Sequence, residues 1–230
     1  MDKSLSAYWQ FLKRPKLLRF SKDKLQLRKD FITLLILDYA IAFSVLTTLS
    51  ILVHYKLVKE YPFIDLKKEY GIWGTGILLC VGAPLIEEAI FRYQLRKRAL
   101  SIYFIASALA CITISNLTND YFKFFVFLAF LILAIVGNSW FEAMSKTKGY
   151  LIWQKLYGWF FYFTAFVFAY VHLGNIEGLT VADPSFFFYI LAQLFVGLSL
   201  GYLRIKYGLV YAMLFHAAYN GLIFLLMIFI

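Results

Sequence analysis

Apolar residues in this chain fall in long, unbroken runs rather than in alternation. Seven runs stand out, over 31–53, 71–91, 99–117, 121–141, 151–173, 186–203 and 209–230. Each approaches the ~20 residues with which a helix crosses the hydrocarbon core of a bilayer. Outer-membrane strands would alternate apolar and polar positions over ~10 residues, so the pattern predicts helices. Turn and charge signals separate the runs: Pro62, Asn116 to Asp120, Gly149, Gly174 to Pro184, and Gly208. The second run is expected to continue as a helix through its charged tail to about residue 100. The third is the weakest, diluted by Ser107, Thr113 and Ser115. The predicted fold is all-α, a polytopic transmembrane bundle of about seven spans, without internal repeats.

Composition agrees. Of the 230 residues, 62% are hydrophobic and 16% charged, and the aromatic share is 20%. A soluble domain, at roughly 45–50% apolar, could not hide that much apolar surface from water. Disordered, collagenous and disulfide-scaffold classes are excluded. Cys80 and Cys111 lie in apolar runs and read as unpaired, buried small hydrophobes.

Charge supplies the orientation. Residues 1–30 carry nine of the 23 Lys and Arg, interleaved with Tyr8, Trp9, Phe11, Leu17, Leu18 and Phe20. This reads as a basic cytoplasmic segment lying on the inner leaflet. Only charge would support nucleic acid as a partner, so the expected partner of this segment is the lipid bilayer. With the N-terminus inside, inside segments hold eighteen basic residues and outside segments five. That asymmetry predicts the C-terminus outside; the membrane is expected to be a bacterial inner membrane.

Ionisable groups inside the apolar runs are costly and mark either pairing or function. Asp38 lies about 10 Å into the first span and calls for a polar cavity or a partner on another helix. Glu87 and Glu88 are adjacent in the second run, so they point about 100° apart and cannot do the same job. Glu88 and Arg92 stand at i,i+4, suited to an ion pair within the helix, which leaves Glu87 free to meet another helix. Pro84, three residues upstream of Glu87, removes a backbone donor and kinks the helix. His172 ends the fifth run and His54 reads as interfacial. His216 and Asn220, at i,i+4 in the last run, share a helix face and need a polar partner, for which Glu87 and His172 are available. Taken alone, the charged end of the second run also fits a span simply reaching the cytoplasmic surface.

These residues resemble a known family. The chain is similar to the CAAX prenyl endopeptidases and their bacterial relatives, the CPBP or Abi group of intramembrane proteases. The family's EExxxR motif is matched by Glu87, Glu88 and Arg92, its FxxxH by Phe168 and His172, and its HxxxN by His216 and Asn220. The resemblance covers roughly residues 80–225. It implies a protease core over 71–230, preceded by the basic segment 1–30 and by a first span with its loop over 31–70. Helices over about 99–141 read as an insertion, because 75 residues separate Arg92 from Phe168.

The resemblance also implies hydrolysis of a peptide or membrane-protein substrate by a glutamate-activated water, with no cofactor. Glu87 would take the proton, His172 would hold the water, and His216 and Asn220 would donate to the oxyanion. Glu88 and Arg92 would support them as an ion pair. A zinc site on Glu87, His172 and His216 is the alternative chemistry, although the chain lacks HExxH. Neither cysteine has an adjacent base, and GxSxG does not occur. A non-catalytic immunity or scaffold protein of the same fold is the alternative function. The four site residues are expected to line one cavity walled by rings such as Phe91, Phe168 and Phe215. Depth poses a difficulty, since Glu87 lies near the inner end of its run and His172 near the outer end. Immersing the second helix over about 78–98 would resolve it and would place Arg92 in a wet cavity.

Overall fold

The computed structural model describes residues 3–115 and 117–229, and these form nine α-helices. They are α1 (Lys3–Lys13), α2 (Lys24–His54), α3 (Leu66–Ile77), α4 (Ala83–Phe91), α5 (Arg98–Ile114), α6 (Asp120–Ala143), α7 (Lys146–Val171), α8 (Phe186–Lys206) and α9 (Leu209–Phe229). Side chains cap several starts: Asp23 accepts from the Gln26 N–H, Asn119 from Tyr121 and Phe122, and Ser145 from Lys148. Six helical segments are long and apolar enough to cross a membrane, and the α3–α4 unit is one of them, over Leu66–Arg96. The seventh expected span, α5, has 17 residues. At ~1.5 Å per residue it measures ~25 Å, short of the ~30 Å core. The protein is an integral membrane protein with a polytopic helical fold.

The centre of the bundle is α7 against α8. Two glycines one turn apart, Gly197 and Gly201, bring the backbones together; a Cβ on Gly201 would lie 2.7 Å from the Phe161 ring, and one on Gly197 3.2 Å from the Ala165 carbonyl. Such small-residue pairs drive helix association where lipid offers no hydrophobic contrast. Helix α2 packs on α8, and α9 closes the bundle against α8 and the α3–α4 unit. Helix α6 packs mainly on α5, and among its described residues only Ala134 is buried. The α5–α6 hairpin therefore sits at the rim.

Loops meet their own kind at two ends. At one end the Ser21 N–H donates to the Lys206 carbonyl at 2.8 Å, and the Arg96 guanidinium donates to the carbonyls of Leu18 and Ile205. Lys206 also pairs with buried Asp30 at 2.6 Å. At the other end residues 59–64 join residues 175–185. Phe63 bridges Ile176, and the Ser185 hydroxyl donates to the Lys59 carbonyl. There Tyr61 donates to Asp183 at 2.7 Å, and the Ser185 N–H together with that hydroxyl holds the Asp183 carboxyl below the usual carboxylate range.

Four expectations change. The second helix does not run to residue 100: α4 ends at Phe91, a 3-10 turn follows over Tyr93–Arg96, and Lys97 is extended. Side chains take the carbonyls that a continuing helix would use. Arg204 donates to those of Arg92 and Tyr93, Ser101 to that of Gln94 and Tyr157 to that of Leu95. Second, the amino-terminal segment is more than a surface signal. Tyr8, Phe11 and Leu12 of α1 are buried; Phe11 meets Phe161 edge-on, Tyr8 meets Tyr202, and Tyr162 donates to the Leu12 carbonyl. Third, Cys111 is exposed and Cys80 half-buried, though both are unpaired. Fourth, Arg92 faces no wet cavity, as the site geometry makes plain. Asp38 does find its partner on another helix, accepting from Ser199 at 3.0 Å, and Ser199 in turn lies 3.2 Å from the Tyr8 hydroxyl.

Candidate active site

The second helix reaches the site through a defect. Between α3 and α4 the chain makes one π turn, Leu78–Gly82, so the Ala83 N–H bonds to the Leu78 carbonyl five residues back. Pro84 follows in the first turn of α4, where a missing N–H is tolerated. Three residues later stand Glu87 and Glu88, on different faces and in different surroundings. The side chain of Glu87 is 26% exposed, and that of Glu88 is fully buried. Only Glu87 is open to an incoming molecule.

Three helices converge on Glu87. Its Oε2 lies 3.4 Å from His172 Nε2, at the end of α7, and 3.9 Å from His216 Nε2 on α9. Both imidazoles are held by their other nitrogen. His172 Nδ1 lies 2.8 Å from the Phe168 carbonyl; a carbonyl only accepts, so Nδ1 carries the proton. His216 Nδ1 lies 3.1 Å from Glu88 Oε1. Both Nε2 atoms are thereby aimed at the same carboxylate oxygen. The depth problem dissolves: Glu87 and His172 lie at one level without any shift of the charged tail into a wet cavity.

Arg92 is walled in by protein. Its side chain is fully buried, its Nε lies 3.7 Å from Glu88 Oε2, and its guanidinium carbon sits 4.4 Å from the centre of the Phe168 ring. The ion pair at i,i+4 is the expected one. Its second partner, His216, was not foreseen, because spacing along α4 says nothing about α9. Glu88 thus links a cation below it to an imidazole across the bundle, and the charge-assisted contacts fix the ring of His216. Phe168 packs against both rings of the site, tilted on His172 with centroids 4.4 Å apart and edge-on to His216 at 5.9 Å, and Phe91 packs on Phe168. Phe215 is buried, but its ring meets Phe31 of α2.

Asn220, one turn beyond His216, donates from Nδ2 to the Leu79 carbonyl at 2.9 Å. Its amide retains a second N–H. His172 and His216 therefore both contact Glu87, and Asn220 is anchored on the π turn that leads to it. Glu87 Oε2, Glu88 Oε2 and the three guanidinium nitrogens of Arg92 are buried without a hydrogen-bond partner among the described atoms. Among the described residues no group of three or more His, Cys, Asp or Glu has a geometry that could hold a metal ion.

Comparison with known proteins yields one family. Residues 69–222 match the type II CAAX prenyl endopeptidase, Rce1-like, family. No curated protein and no solved structure matches the chain. The matched stretch begins in α3, ends in α9, and contains Glu87, Glu88, Arg92, Phe168, His172, His216 and Asn220. Two thirds of the chain lies within that match, and the chain belongs to the Rce1-like family of CAAX-type intramembrane proteases.

Proposed function

We propose that this protein hydrolyses a peptide bond at the membrane by water activated at Glu87. The observation that carries the reading is the aim of both histidine Nε2 atoms at one carboxylate oxygen, from three separate helices. With Nδ1–H given to the Phe168 carbonyl, a neutral His172 presents a bare Nε2. A water seated beside the 3.4 Å pair of this Nε2 and Glu87 can donate one proton to each and turn its lone pair toward a substrate carbonyl. Glu87 takes the proton as the water oxygen bonds to the carbonyl carbon, and returns it to the leaving amine. No covalent intermediate forms with the enzyme.

His216 and Asn220 supply the oxyanion donors. His216 already gives Nδ1–H to ionised Glu88, so donation from Nε2 requires the ring to carry both protons. The resulting imidazolium lies between two carboxylates, which balance its charge. The second N–H of Asn220 is the other donor, its orientation set by the bond of the first to Leu79.

Turnover of a labelled peptide by purified protein in detergent tests the reading. Activity is expected to survive a chelator, with no stoichiometric zinc in the protein. Reversible loss on chelation, restored by zinc alone, would convert Glu87, His172 and His216 into ligands. A catalytically silent protein of intact fold would instead support the immunity or scaffold role.

Orientation has its own test. The two loop ends of the bundle carry unequal basic charge, and the richer end, with residues 1–30, is assigned to the cytoplasm. A reporter after Lys148 is expected inside and one at the C-terminus outside. A cytoplasmic C-terminus would mean that short α5 does not cross.

A further inference from the structure

The π turn leaves one backbone acceptor with nothing in its own helix to bond. The Leu79 carbonyl could accept from residue 83 in α geometry or from residue 84 in π geometry. The Ala83 N–H is already given to Leu78, and residue 84 is proline. The donor comes from α9 instead, as the Asn220 amide. We propose that Pro84, the Leu79 carbonyl and Asn220 form a register lock that fixes the rotation of α4, so that Glu87 faces the two histidines while Glu88 faces Arg92 and His216.

A π turn adds one residue to the helix. Relaxing it to regular α geometry would rotate everything beyond it by about 100° relative to α3. That is the angle between Glu87 and Glu88, so Glu87 would take the direction now held by Glu88, and Glu88 would turn about 100° further, away from His216. Proline alone makes the turn possible without enforcing it. The amide of Asn220 makes it specific, because only in the π arrangement does the Leu79 carbonyl stand free for it. Pro84 and Asn220 act here as positioning residues, through Glu87. The proposal rests on the assignment of Glu87 as the base, but the lock itself can be read without any activity.

The neighbouring residues provide the reporter. A Cβ built on Gly221 would lie 3.9 Å from Cys80 Sγ, inside the π turn. In a Cys111→Ser background, Gly221→Cys is expected to form a disulfide with Cys80 under mild oxidation. Adding Asn220→Ala leaves the Leu79 carbonyl unbonded and is expected to cut the disulfide yield several-fold and lower the melting temperature by about 3–6 °C. Adding Pro84→Ala to that chain supplies an N–H at residue 84, which can bond Leu79 in unchanged π geometry. The disulfide yield and the melting temperature are then expected to return toward the starting values. Turnover should recover only in part, since the second N–H of Asn220 is still missing.

Failure of Pro84→Ala to restore either property would overturn the lock, whatever the turnover. So would full disulfide yield in Asn220→Ala alone. Restored disulfide and stability with no turnover in any chain, the parent included, would uphold the lock and sink the catalytic reading. If Asn220→Ala does not fold, Asn220→Asp, which keeps the volume and removes both N–H donors, replaces it with the same expected rescue.

Discussion

Glu87→Gln is expected to remove peptide hydrolysis while leaving the helix bundle assembled. The substitution is nearly isosteric, and Glu87 is partly open, at 26% against 14% for His172, so little packing depends on its charge. What it removes is the proton acceptor. General-base assistance contributes about 10²–10⁴-fold, and a loss within or beyond that range in kcat, with an unchanged melting temperature, is the expected result. Glu88→Gln provides the contrast. It alters a fully buried group held by Arg92 and His216, so stability and turnover should fall together. Wild-type turnover in purified Glu87→Gln would remove this residue from the chemistry.

The second large effect lies at Arg92. Its guanidinium is fully buried with Glu88 at 3.7 Å and the face of Phe168 at 4.4 Å. Breaking a buried pair costs about 3–5 kcal/mol, because a charge is left without compensation. Arg92→Met should fall near ~3 kcal/mol, the lower end of that range, since His216 remains 3.1 Å from the stranded carboxylate. In a chain of this size that is a drop of roughly 6–12 °C in melting temperature. The double variant Glu88→Gln/Arg92→Met removes both charges and should regain most of the loss, because replacing a buried pair by neutral groups is close to stability-neutral. It should not regain turnover, as His216 loses the carboxylate that balances its charge. Equal stability of Arg92→Met and wild type would show that the pair contributes nothing to the fold.

Hydropathy and charge made much of this architecture legible. The apolar runs located the long helices, and loop charge sorted the connections into two groups that do meet in space, as Ser21 with Lys206 and Phe63 with Ile176 demonstrate. The i,i+4 pair of Glu88 and Arg92 followed from helix geometry alone. Contacts across helices did not follow. The 3.1 Å contact of Glu88 with His216 spans 128 residues, and no local rule connects them. The end of α4 was misjudged for a similar reason. Residues 92–97 are good helix formers, but side chains from α5, α7 and α8 capture their carbonyls. Pro84 carried a signal that could have been used further. A proline in an apolar run announces a carbonyl without a donor, and a buried Asn in another run is a natural candidate to supply one.

Helix α1 raises a question of timing. Tyr8 meets Ser199 and Tyr202, so a helix made early in translation docks on one made much later. The two partners of the Tyr8–Ser199 contact are 191 residues apart. At ~5–20 residues per second, translation separates their appearance by roughly 10–40 s. Until α7 and α8 have been made, Tyr8, Phe11 and Leu12 lack the surfaces that cover them, and the membrane interface is the place where an amphipathic helix with basic neighbours can wait. The docking of α1 onto α7 and α8 becomes a late step of biogenesis, and α1 stays undocked for as long as α8 is missing or misplaced.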